Sequence, residues 1–198
     1  MRKPPRKRPD SYHHGDLREA LIAAALAAVE QKGPDVLSMA SLAKMLGVSQ
    51  PAPYRHFPDR DALLAAVATR AFREFAAALV AAAEAGPNRT RLSRMGHAYI
   101  EFGTRRPGIY RLMFASPVLT NASAGDELQL AAQNSFELLV AEVGDTPPRD
   151  RQRRALQIWV ALHGVVMLFN QNLLREGGPA RMGLSELVDS ILAPDGRS

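Results

Sequence analysis

The 198-residue chain has no cysteine and a single tryptophan, and aromatic residues make up 6% of it. Without cysteine it can form no disulfide, run no thiol chemistry and hold no cysteine-ligated zinc. No stretch of 18 or more apolar residues interrupts it, so it offers no membrane-spanning segment of the usual length. Its first nine residues, MRKPPRKRP, are basic but lack the apolar core of a secretory signal. A cytoplasmic protein without a membrane partner is the expectation. Enzyme signatures are also missing. There is no His-x-x-x-His pair, no phosphate loop, no nucleophile and base at helical spacing, and no paired carboxylates on one apolar face. Adjacent His13 and His14 point different ways and have no third ligand near them, so no metal is expected. No cofactor is implied either.

What is present is a globular composition, 46% hydrophobic and 23% charged. The net charge of +5 is unevenly spread. The first 60 residues hold ten basic and six acidic side chains, and the remaining 138 hold fifteen and fourteen. A positive N-terminal end on a near-neutral body suits contact with a polyanion, or a tail kept for solubility. Residues 1–11 read as a disordered basic arm, with Arg6-Lys7-Arg8 placed for a minor groove or for non-specific attraction to DNA.

From Gly15 on, apolar residues recur at three- and four-residue steps. Leu17, Leu21, Ile22, Ala25, Leu26 and Val29 predict a helix over 15–32, stopped by Lys32-Gly33-Pro34. Ser38 caps a short second helix whose buried face is Met39, Leu42, Ala43 and Leu46. Gly47 ends it, and Val48-Ser49 lead to a third helix over Gln50–Phe57. Asp59 caps a fourth helix running to about Ala83. Gly86-Pro87-Asn88 is the clearest break. Beyond it the pattern predicts helices over about 89–105, 107–115, 124–143, 148–174 and 184–193. No alternating run is long enough for a strand. The fold class is all-α: a three-helix DNA-binding domain with a helix-turn-helix at 12–60, and a larger helical ligand-binding and dimerisation domain at 61–198.

The stretch from Leu42 to Phe57 has the logic of two short helices crossing steeply. Ala43 is small at the closest approach, Gly47 makes the turn and Val48 plugs the corner. Ser38, Gly47-Val48-Ser49, Tyr54-Arg55-His56-Phe57, Arg60 and Ala62-Leu63-Leu64 together resemble the DNA-binding domain of the TetR family of regulators. That resemblance implies a dimeric repressor that releases a palindromic operator when a small ligand binds its C-terminal domain. The chemistry of a recognition helix assigns base contacts to Gln50, Pro51, Ala52 and Arg55. It assigns phosphate contacts to Ser38, Tyr54, His56 and Arg60. Pro53 departs from the family pattern, which has an apolar residue such as leucine there. It removes a backbone donor, so the helix is expected to start late or to have a tight first turn.

The segment Ile158–Phe169 is apolar nearly all round and calls for burial on more than one side. Trp159, His163 and Gly164 resemble the Trp-His-Gly signature of one C-terminal subgroup of the family, as does the run Pro107–Phe114. The resemblance implies a homodimer through the last two helices. Tyr99, Phe102, Tyr110, Met113, Phe114, Trp159, His163 and Met167 could line a pocket for an apolar or aromatic effector, or serve as ordinary core. The alternative is a DNA-binding regulator with no small ligand, controlled by a protein partner or by its abundance.

Overall fold

The computed structural model describes residues 14–144, 147–174 and 183–193. The basic arm at 1–11 lies outside them. All regular structure among the described residues is helical. The α-helices are α1 (His14–Lys32), α2 (Met39–Met45), α3 (Arg60–Glu84), α4 (Arg91–Arg105), α5 (Pro107–Phe114), α6 (Pro117–Thr120), α7 (Glu127–Glu142), α8 (Pro148–Asn170) and α9 (Leu184–Leu192). Short 3-10 helices occupy Pro34–Val36 and Pro53–Arg55.

The helix ends follow from local chemistry. The Ser38 hydroxyl accepts from the Ser41 N–H at 3.2 Å, and Asp59 accepts from Ala62 at 2.8 Å. Each satisfies a donor that a helix start leaves orphaned. The end of α2 has the paired bonds of a Schellman motif. Val48 N–H donates to the Ala43 carbonyl and Gly47 N–H to that of Lys44. Gly47 takes φ +66, a left-handed geometry that a side chain would strain.

One expectation needs correction. Gln50–Phe57 is not an α-helix. Residues 50–52 form a turn, and Pro53–Arg55 a single 3-10 turn. Pro53 has no N–H to give Ser49. The segment closes instead on i to i+3 bonds, Ala52 to Ser49 and Arg55 to Ala52, before Phe57 bonds back to Pro53. It still packs as the second half of the motif, because Pro53 and Phe57 are buried. Helix α6 was not anticipated; four residues carry too short a pattern to be read.

Helix α3 joins the two halves of the protein. It packs on α1 at one end and on α4 and α7 along its length. Leu63, Leu64, Val67, Phe72, Phe75 and Leu79 are buried on it, each contributing roughly 1.5–3 kcal/mol. Helix α5 docks beside α1, where Gly108 lies so close to the Val29 carbonyl that a Cβ would collide with it. The hydrophobic core is continuous from Leu21 in α1 to Leu192 in α9.

Candidate nucleic-acid interface

The helix-turn-helix presents one polar, exposed edge. Ser38 sits exposed at the start of α2. Gln50, Pro51 and Arg55 are exposed, and Tyr54 keeps 54% of its surface in solvent. Ala52 and His56 are half-buried. A tyrosine left this open beside a basic residue can offer its hydroxyl to a phosphate.

Arg60 is placed differently from its neighbours. Its Nε donates to the Leu37 carbonyl at 3.0 Å, its Nη2 to Pro34 at 2.6 Å and its Nη1 to Asp61 at 3.4 Å. The guanidinium therefore braces the start of α3 against the loop that feeds α2. Sequence reading missed this role, since its backbone partners lie 23 and 26 residues away.

The aromatic residues singled out in the second half converge only in part. Tyr99, Phe102, Tyr110 and Met113 are buried, while Phe114, Trp159, His163 and Met167 are half-buried. The Tyr110 hydroxyl lies 2.9 Å from that of Tyr99 and 2.7 Å from His163 Nδ1. With the imidazole protonated at Nε2, Tyr99 donates to Tyr110 and Tyr110 to His163. Phe114 and Trp159 pack their rings against His163. Phe72, Phe75 and Phe136, not singled out beforehand, complete the cluster. Their helical spacing reads as core and cannot show which neighbours they meet. Burial pushes the Tyr99 and Tyr110 hydroxyls above their ordinary range, so both stay protonated. The space left among these side chains is about 20 Å³, beside Tyr99, Phe136 and Trp159.

Burial holds the His163 imidazole below its ordinary value of 6.5. As pH falls through that value, the unfolded chain takes up a proton that the fold resists. Stability from this group is therefore complete above the unfolded value, and shrinks with falling pH until the folded imidazole protonates too. His163→Gln is expected to lose less melting temperature than wild type between about pH 7.5 and 5.5. Thermal denaturation of both proteins at the two values checks it, and equal losses would remove the effect.

Two ion pairs tie the reading head to α5, and a third holds Arg106 to α3. Arg106, at the start of α5, meets Glu30 of α1 at 2.6 Å and Glu74 of α3 at 2.9 Å. Burial pulls the Arg106 guanidinium down, but hydrogen bonds to Glu74 and Glu30 outweigh it and hold it above its ordinary value. Arg111 of α5 meets Asp35 at 3.0 Å.

Among the described residues no helix is long and apolar enough to cross a membrane. The family model for "Bacterial regulatory proteins, tetR family" matches residues 21–67. That for "Tetracyclin repressor-like, C-terminal domain" matches 92–191, half of the chain. A helix-turn-helix-type transcriptional regulator of Mycobacterium tuberculosis is 27% identical over 155 residues, covering 76% of this chain and 69% of its own. A solved structure of a Rhodococcus sp. RHA1 protein of unknown function is 33% identical, with a TM-score of 0.77 over 92% of this chain and 95% of that one. A TetR-family regulator from Streptomyces coelicolor shares the fold at 21% identity, with a TM-score of 0.65 over 90% and 78% of the two chains. The Mycobacterium tuberculosis and Streptomyces coelicolor relatives are transcriptional regulators. With the exposed helix-turn-helix described above, they make this chain a member of the TetR family, a DNA-binding transcriptional regulator.

Proposed function

We propose that the protein is a homodimeric, cytoplasmic repressor that holds a palindromic operator and leaves it when a small aromatic effector binds. The observation that carries the reading is the exposed edge of Gln50, Tyr54 and Arg55, held by a buried Pro53 and Phe57. Gln50 is suited to bidentate bonding with adenine, and Pro51 and Ala52 to contact with a thymine methyl. Arg55 reaches a guanine or a phosphate. Ser38, Tyr54 and His56 fix the register on the backbone. Arg60 supports them from behind, with only Nη1 directed away from the backbone carbonyls it braces. Residues 12–60 form the reading head and 61–198 the regulatory and dimerisation part, with α3 as the shared strut.

Dimerisation through α8 and α9 is supported by a stripe on α8 that the described residues leave uncovered. Val160 is 56% and Leu168 42% exposed, on the same face of α8 as Leu156. Outside its own turn of helix, no described atom lies within 4 Å of where a Cβ on Gly164 would stand, so a second helix can approach there.

One observation favours a second reading, a regulator with no small ligand. The aromatic cluster is filled by its own side chains, leaving room for about one water. A gel-shift series on a duplex selected by the protein from random DNA tests the main reading. Gln50→Ala is expected to cost about 1–3 kcal/mol and to relax preference at one base pair. Tyr54→Ala should weaken binding to all duplexes alike. Wild-type affinity in both variants would displace the recognition segment from Gln50–Phe57.

A further inference from the structure

An effector of ordinary size does not fit among the aromatic side chains. Small-ligand sites run to about 300–1,000 Å³, against about 20 Å³ there. A cleft of about 450 Å³ opens on the other side of Tyr110, between the C-terminal end of α1, the N-terminal end of α5 and the C-terminal end of α8. Pro107 and Met167 line it with apolar surface, and Tyr110, 1% exposed, reaches it only at an edge. Lys32 and Arg111 stand at its rim. The one carboxylate lining it, Glu30, is already paired with Arg106. Apolar lining beside two cations suits a small anion with an apolar body.

We propose that this cleft is the effector site and that its occupant is a small aromatic carboxylate. The ring rests on Met167 and Pro107, and the carboxylate lies between Lys32 and Arg111. The inference rests on the reading of the protein as ligand-controlled and gives that control a place and a mechanism. Arg111 is paired with Asp35 at 3.0 Å, the two side chains 50% and 79% exposed. A pair so open to water contributes little, so an incoming carboxylate exchanges with Asp35 at small cost. Asp35 lies in the 3-10 turn Pro34–Val36, which leads into Ser38 and α2. The exchange therefore removes one tie between α5 and the segment that positions the helix-turn-helix. Arg106 is only 20% exposed and stays bound to Glu30 and Glu74. It acts as the fixed point about which the loosened segment moves. The ligand favours the untied form because only there is the whole Arg111 guanidinium open to it, and that difference drives release.

The test uses the full chain with benzoate, salicylate and 2-naphthoate as probes, and benzamide and acetate as controls. Thermal denaturation reads binding, and the self-selected duplex reads release. The aromatic acids should raise the melting temperature, and the neutral amide and the ringless acid should not. Lys32→Gln and Arg111→Gln should each weaken benzoate binding about tenfold. Asp35→Asn, which removes the competing carboxylate, should strengthen it. Trp159→Phe, in the aromatic cluster, should leave it unchanged. The site is overturned if no aromatic acid shifts the melting temperature, if benzamide matches benzoate, or if both cation variants bind as wild type. Should benzoate bind through Lys32 and Arg111 yet leave DNA bound, the cleft stands and ligand control falls. Should a neutral compound release DNA from wild type and both cation variants alike, ligand control stands and the cleft falls.

Discussion

Val160→Glu combined with Leu168→Glu is expected to leave a folded monomer that no longer holds its operator. Both side chains are exposed within the single chain, so the substitutions remove nothing from its core. In a dimer they would put four carboxylates into one apolar seam. The loss of DNA affinity follows from geometry. A dimer binds its second half-site at high effective concentration, and two linked contacts can exceed one by about 10²–10⁴. Affinity for the full operator should fall by at least about a hundredfold, towards that of one reading head for a half-site. Sedimentation and gel shift on the same preparation check both parts. A variant that stays dimeric would move the interface off this face of α8.

Tyr110→Ala is expected to be among the most destabilising single changes. The ring is 1% exposed and packs against Tyr99, Phe114 and His163. Removing a buried ring of this size costs about 3–5 kcal/mol, part lost transfer energy and part cavity. Tyr110→Phe separates packing from hydrogen bonding. It keeps the ring but leaves the Tyr99 hydroxyl and His163 Nδ1 without their shared partner, for about 1–3 kcal/mol. Urea unfolding at one fixed protein concentration measures both, since any dimer makes stability depend on concentration. A Tyr110→Phe variant as stable as wild type would show that the hydroxyl chain contributes nothing net.

The parts of the fold that were legible in the sequence are those decided within a few residues. Ser38 and Asp59 cap the next turn, and Gly47 turns because only its own φ matters. These are local contests that side-chain chemistry settles. The recognition segment was half legible. Pro51 and Pro53 announced a lost donor, but how the chain closes without it depends on Phe57 and Pro53 being buried against the rest of the head. The brace made by Arg60 was not legible, because its carbonyl partners come close only after α1 and α3 have packed. The aromatic residues were found as a set, and the space between them was not. Cavity volume depends on rotamers from five helices, α3, α4, α5, α7 and α8. A few tenths of an ångström separate a pocket from a core. The cleft beside Tyr110 was missed for the same reason. Its two cations, Lys32 and Arg111, lie on different helices far apart in the chain.

The central claim is that the segment from Gln50 to Phe57 reads DNA as half of a symmetric pair. Repeated selection of random duplex DNA by the purified protein, followed by sequencing of what is retained, tests it most directly. The expected product is an inverted repeat whose half-sites are centred one helical turn apart or a multiple of that, with two chains bound per duplex. With Gln50→Ala, preference should fade at one symmetric pair of positions while the rest of the repeat persists. Retained DNA with no enriched sequence, or an enriched site without two-fold symmetry, would contradict the account.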